Sequence, residues 1–78
     1  MTEFDNLKRS YTLTVQFVLA SKSGYHDAKA ANELLHHLYE NLVENSFYSD
    51  MDKAYMKLEL QLLKEAFSEE IRCFYGIG

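Results

Sequence analysis

The stretch from about Asp50 to Tyr75 carries apolar side chains on two sides of a predicted helix. At roughly 100° per residue, these side chains fall into two stripes. The 51–66 stripe consists of Met51, Tyr55, Leu58, Leu62 and Ala66. The 56–74 stripe, turned by roughly 120° on the same helix, consists of Met56, Leu60, Leu63, Phe67, Ile71 and Phe74. Together they cover roughly 220° of the circumference, whereas a helix on one side of a core needs roughly 100°.

This surplus of apolar surface predicts a binding partner. The chain has 78 residues, and a domain near this length buries only about 60% of the surface that its unfolded chain exposes. Cys73 is the single cysteine, so an internal disulfide is excluded, and the Cys/His spacing of a structural zinc site is absent. Oligomerisation is the remaining way for so small a domain to bury more apolar surface and gain stability. We therefore predict a homodimer whose interface is the 56–74 stripe.

The N-terminal segment, residues 3–23, is the ambiguous part of the pattern. Residues 11–19 alternate apolar and polar types over several positions and are rich in β-branched residues, as a strand is. The same segment also places one row of side chains on a single helical face: Phe4, Leu7, Tyr11, Val15 and Val18. A strand needs a paired neighbour, and the rest of the chain offers no convincing one. We predict a helix, with an α+β fold containing a strand at 11–19 as the alternative.

Two further helices complete the predicted fold. The second spans 27–45, begins with Asp27 as N-cap, and has a core seam at helical spacing. That seam consists of Ala28, Ala31, Leu35, Leu38 and Leu42. The third spans 50–75, with Ser49 as N-cap and Gly76 after its end. The prediction is a single all-α domain over 1–78, an antiparallel three-helix bundle completed by dimerisation.

Composition limits the class of protein and its setting. An apolar fraction of 47% with 26% charged residues is typical of a globular protein. No apolar run reaches membrane-spanning length, and the N-terminus lacks a signal-peptide pattern. A single thiol fits a reducing compartment, so we expect a cytoplasmic protein. The net charge of −4 argues against direct nucleic-acid binding, which depends on Lys and Arg.

Three carboxylates align on the outer face of the second helix and form what we term the acidic strip: Glu33, Glu40 and Glu44. The simplest interpretation is a solvated face that keeps the bundle soluble. The alternative is an acidic antagonist that occupies a nucleic-acid groove by placing carboxylates where phosphates would lie, with help from Asp50 and Asp52. Such antagonists are of the kind found in phages and mobile elements.

The sequence offers few residues that could form a metal site or a catalytic site. His36 and His37 lie at i, i+4 spacing from Glu40 and Glu33, which suggests a helical metal-dependent enzyme as a third hypothesis. The other two predicted helices contain no His, although di-metal bundles draw ligands from several helices. Cys73 has no His nearby in sequence that could activate it. We predict no catalytic residue, no metal and no cofactor.

The sequence favours a non-catalytic interaction module that binds and regulates or inhibits a larger protein partner. Aromatic residues are enriched at the centres of protein interfaces. The predicted apolar anchors are Phe47, Tyr48, Phe74 and Tyr75. The acidic strip is predicted to form the polar rim of the same binding surface.

Overall fold

A computed structural model describes residues 2–77, which form three α-helices joined by short turns. The helices are α1, Thr2–Ala20, α2, Tyr25–Glu44, and α3, Asp50–Phe74. They pack against one another in an up-down-up bundle, and the described residues contain no strand. The all-α prediction is confirmed, and each predicted helix is found within a few residues of its expected bounds. Dimerisation remains a prediction.

The alternative strand at residues 11–19 is wrong, because the whole segment lies inside α1. Its two threonines fit the helix by bonding to the backbone one turn earlier. Thr12 Oγ1 donates to the Lys8 carbonyl at 3.0 Å and Thr14 Oγ1 to the Ser10 carbonyl at 2.8 Å. This backbone bond is available to Thr in helices and offsets its preference for strands.

The turn between α1 and α2 differs from the prediction at both of its ends. Helix α1 ends at Ala20, and Lys22 adopts the left-handed conformation with φ of 62°. Gly24 is extended and serves as the N-cap of α2, so Asp27 lies inside the first turn of the helix and is not its N-cap. A carboxylate in the first turn still stabilises the helix by facing the positive end of its dipole.

Both ends of α3 are as the sequence predicts. Ser49 Oγ accepts a hydrogen bond from the Asp52 amide at 3.2 Å, which caps the N-terminus. At the other end Gly76 has φ of 70°, where a side chain would be strained. The Gly76 amide donates to Cys73 and the Ile77 amide to Arg72, which is the Schellman pattern of a glycine-terminated helix.

Helix α3 sets the shape of the molecule. At 1.5 Å per residue, its 25 residues make a rod about 37 Å long, which accounts for the longest dimension of 40 Å. Helix α2 has its most extensive contacts with α3, and α1 packs across both. The bundle is 21 and 17 Å across in its other dimensions, so every helix keeps one broad face toward solvent.

Aromatic rings fill the centre of the core. Tyr11 has no exposed surface and stacks on Phe67 of α3, with 5.5 Å between the ring centroids. The ring of Tyr39 in α2 also packs on the Tyr11 ring, with 5.6 Å between their centroids. Met56 and Leu60 are also fully buried. All three helices therefore meet around the Tyr11 ring.

A buried asparagine joins the three helices at this level. Asn32 is 1% exposed, and its Oδ1 accepts a hydrogen bond from the Tyr11 hydroxyl at 2.6 Å. Its Nδ2 donates to the Lys64 carbonyl and to Ser68 Oγ in α3, each at 3.1 Å. A buried amide is tolerated only when its polar atoms are paired. These bonds therefore fix both the position of α2 along its neighbours and its rotation.

The Tyr11 hydroxyl makes the stability of the fold sensitive to alkaline pH. Burial, with a smaller contribution from Tyr39, raises the pKa of Tyr11 from 10.0 to about 12. The fold thus favours the neutral hydroxyl, and this contribution to the free energy of unfolding is present below pH 10 and is lost as the pH rises toward 12. Its size is about 2–3 kcal/mol.

We predict that Tyr11→Phe lowers the free energy of unfolding near neutral pH by about 1–3 kcal/mol, because the Asn32 Oδ1 atom loses its donor. The variant should also lose less stability than the parent protein as the pH rises above 10. Urea unfolding followed by circular dichroism, repeated over a pH series, measures both effects. Identical alkaline slopes in the two proteins would contradict the assignment.

Candidate interaction surface

Helix α2 is rotated away from the orientation that its leucines predict. The side chains that it buries are Ala28, Asn32, His36 and Val43. Of the predicted core seam, Ala28 is buried and Ala31 and Leu35 are partly buried, but Leu38 and Leu42 are not in the core. The physical reason is the amide of Asn32, whose bonds to α1 and α3 require its side of the helix to face inward.

The rotation leaves three leucines one turn apart on the outside of α2, which we term the leucine ridge. Leu34 is 70% exposed, Leu38 53% and Leu42 51%. Side chains at i, i+4 and i+8 follow one another along a single helix face. This surface was not predicted, because leucine at helical spacing usually marks the core side of a helix. The signal was Asn32, which shares a helix face with Ala28, His36 and Val43 rather than with the leucines.

An apolar cleft of about 240 Å³ adjoins the ridge at Leu42. It opens between the start of α1, the end of α2 and the turn that follows α2. Its walls are mainly apolar and come from all three helices: Phe4, Leu7, Leu42, Val43 and Met56. The leucine ridge therefore ends beside a concavity of similar chemistry.

The polar groups at the cleft are used in bonds within the protein. The Tyr48 hydroxyl donates to the Glu3 carboxylate at 2.7 Å, and this bond raises the pKa of Tyr48. Ser46 Oγ donates to the Val43 carbonyl at 2.6 Å. The Tyr48–Glu3 bond holds the turn after α2 against the start of α1, whereas the Ser46 bond is local to the end of α2. The cleft thus presents chiefly carbon surface to an incoming group.

On α3 the two apolar stripes have the opposite roles to those predicted. The 56–74 stripe, predicted as the dimer interface, faces the interior of the monomer. Met56, Leu60, Phe67 and Ile71 are buried, Leu63 is partly buried, and Phe74 alone is exposed. This interface assignment is wrong, because pairing through buried side chains would require the bundle to open. The exposed side chains belong to the 51–66 stripe.

The aromatic residues predicted as binding anchors do not form one patch. Phe47 and Tyr48 lie in the turn before α3, whereas Phe74 and Tyr75 lie at its far end, a separation of about 37 Å along the helix. Phe47 is fully exposed and Phe74 is 59% exposed. Tyr48 is partly buried and bonded to Glu3. The Tyr75 hydroxyl donates to the Ser23 carbonyl in the turn between α1 and α2. Both tyrosine hydroxyls therefore make hydrogen bonds within the bundle.

Two carboxylates of the acidic strip contact other side chains of the bundle. Glu44 is paired with Lys57 of α3, and the hydrogen bond from this lysine lowers the pKa of Glu44. Glu40 Oε2 lies 3.4 Å from Nε2 of His36. Glu33 is exposed. The strip therefore runs beside α3 and is partly neutralised by it.

His36 and His37 have different surroundings although they are adjacent in sequence. His36 is 4% exposed, and its Nδ1 is buried without a hydrogen-bond partner. His37 points to solvent. Among residues 2–77, no three His, Cys, Asp or Glu side chains converge as a metal site would require. Cys73 is exposed near the end of α3.

None of the helices in the described part of the chain is long and apolar enough to cross a membrane. No protein-family model, curated protein or solved structure matches this chain.

The rotation of α2 predicts opposite outcomes for one substitution at two sites. Leu60→Ala should lower the free energy of unfolding by about 2–5 kcal/mol, since Leu60 is fully buried. Leu38→Ala should change it by less than about 1 kcal/mol, since over half of Leu38 is already in water. Urea unfolding of both variants measures the difference. Equal losses would mean that Leu38 belongs to the core.

Proposed function

We propose that this protein is a non-catalytic protein-binding module whose binding surface consists of the leucine ridge and the adjoining apolar cleft. The observation that carries the proposal is that α2 buries two polar side chains while three of its leucines stay exposed. This helix buries Asn32 and His36 and exposes Leu34, Leu38 and Leu42. Burying a leucine fully stabilises a protein by about 1.5–3 kcal/mol. Such departures from the usual pattern are expected at functional sites.

The shape of the surface suits an amphipathic helix from another protein. A row at i, i+4 and i+8 forms one of the ridges that pack into the grooves of a facing helix. The cleft, at about 240 Å³, is smaller than the roughly 300–1,000 Å³ typical of sites for drug-sized ligands. It suits one or two apolar side chains of the partner helix. Helix-in-groove recognition uses anchors of this kind.

A bundle this small acts on a larger protein by covering part of that protein's surface. The polar groups at the cleft are engaged in structural bonds, as the Tyr48 and Ser46 hydroxyls illustrate. The module thus contributes contact surface rather than reacting groups. Regulation or inhibition of the partner, by competition for one of its helices, is the role that fits this surface.

The alternative of an acidic nucleic-acid mimic draws less support from the side-chain contacts. A phosphate mimic needs carboxylates that are free to meet cations of its target. Glu44 already pairs with Lys57 and Glu40 lies beside His36. Among residues 2–77, Glu33 is the one member of the strip without a basic side chain or His within 4 Å of its carboxylate.

Quantitative affinity capture from the source cell separates these two functions. We expect Leu38→Asp to abolish retention of the partner, because a carboxylate in the middle of the ridge cannot be desolvated against an apolar helix. Leu58→Asp, the same change at an exposed leucine of α3, is the matched control and should retain it. Circular dichroism checks that both variants keep their helices.

The same experiment includes a variant of the acidic strip. Glu40→Gln combined with Glu44→Gln should leave capture largely unchanged, and retention should survive high salt. A partner that is kept by Leu38→Asp, but lost with the Gln variant or on raising the salt concentration, would overturn the proposed surface and support the mimic.

A further inference from the structure

Helix α3 carries a second apolar surface that is separate from the leucine ridge. Met51 is 82% exposed, Tyr55 57%, Leu58 59% and Leu62 53%. We propose that these four residues pair with the same four of a second copy of the chain, as an antiparallel helix pair that makes a two-fold dimer. This inference goes beyond the proposed function, because it concerns another helix face and another occupant.

The spacing of the four residues is that of a helix-pairing seam. They follow one another at intervals of four, three and four positions, which is the alternation of a heptad seam. The next seam positions are occupied by Glu65 and Glu69. Carboxylates there end the apolar surface after about three helical turns. The pairing surface is therefore short and confined to the N-terminal half of α3.

The charges that end the seam decide the direction of pairing. In a parallel pair, Glu65 of one copy would face Glu65 of the other at a seam position, and Glu69 would do the same. Like charges placed opposite one another in an interface are unfavourable. In an antiparallel pair centred on the four apolar residues, residue 65 lies past the start of the facing α3, which begins at Asp50. The antiparallel arrangement therefore avoids these two like-charge pairs.

The antiparallel arrangement also fixes the register. With the two-fold axis between Tyr55 and Leu58, Met51 of one copy packs on Leu62 of the other, and Tyr55 packs on Leu58. Every apolar residue of the seam then meets an apolar residue. The same surface patch serves on both copies, as a two-fold interface requires.

The exposed area is close to what a specific dimer needs. Four large side chains, each more than half exposed, offer on the order of 500 Å² per copy. Complete burial of these side chains in both copies would remove about 1,000 Å² from solvent, which is close to the lower bound for a specific protein interface.

Disulfide trapping tests both the dimer and its register, with Cys73→Ser as the background. Proteins carrying Met51→Cys and Leu62→Cys are oxidised separately and as a mixture. Since a disulfide needs Cα atoms within about 7 Å, the antiparallel dimer predicts a cross-linked product in the mixture and little in either protein alone. Efficient cross-linking of each protein alone would indicate a parallel pair and overturn the proposal.

Solution mass by light scattering, over a wide concentration range, provides the second readout. The parent protein and Leu38→Asp should both form dimers, whereas Leu58→Asp should be a folded monomer. A parent protein that stays monomeric throughout, or a dimer that is lost with Leu38→Asp and kept with Leu58→Asp, would contradict pairing through α3. Because the partner of the proposed function is lost with Leu38→Asp and kept with Leu58→Asp, the two proposals can fail independently.

Discussion

The hydrogen bonds of Asn32 determine how this bundle is assembled. Its side-chain oxygen binds the Tyr11 hydroxyl of α1, and its nitrogen binds the backbone and Ser68 in α3. An amide in the core is stable only with its polar atoms paired, and each broken pair costs about 1–3 kcal/mol. All of these bonds are made together in the observed rotation and register of α2.

The exposed surface is a consequence of that rotation. When Asn32 faces inward, Leu34, Leu38 and Leu42 face outward, and Leu42 reaches the edge of the apolar cleft. A bundle that maximised its own stability would place leucines inside and the amide outside. Helix α3 carries a second exposed apolar face, formed by Met51, Tyr55, Leu58 and Leu62. The proposed module therefore has one surface suited to a foreign helix and another suited to its own copy.

The sequence predicted the elements of the fold because helix periodicity, caps and stop signals are local. Ser49 and Gly76 mark the ends of α3 correctly, since each acts within one helical turn. Orientation was not predictable in the same way. The inward side of α2, with Asn32 rather than Leu38, is set by hydrogen bonds between residues 21 to 36 positions apart. On α3 both stripes are apolar, so helix periodicity alone does not say which of them faces the other helices.

The rotation of α2 is the claim on which the proposed binding surface depends, and nuclear magnetic resonance with a soluble paramagnetic probe measures it directly. The methyl groups of Leu34, Leu38 and Leu42 should relax quickly in the presence of the probe, while those of Leu60 should be protected. The Asn32 side-chain amide should also be protected and exchange slowly with solvent. Protected methyls at Leu38 and Leu42 together with an accessible Asn32 amide would contradict the account.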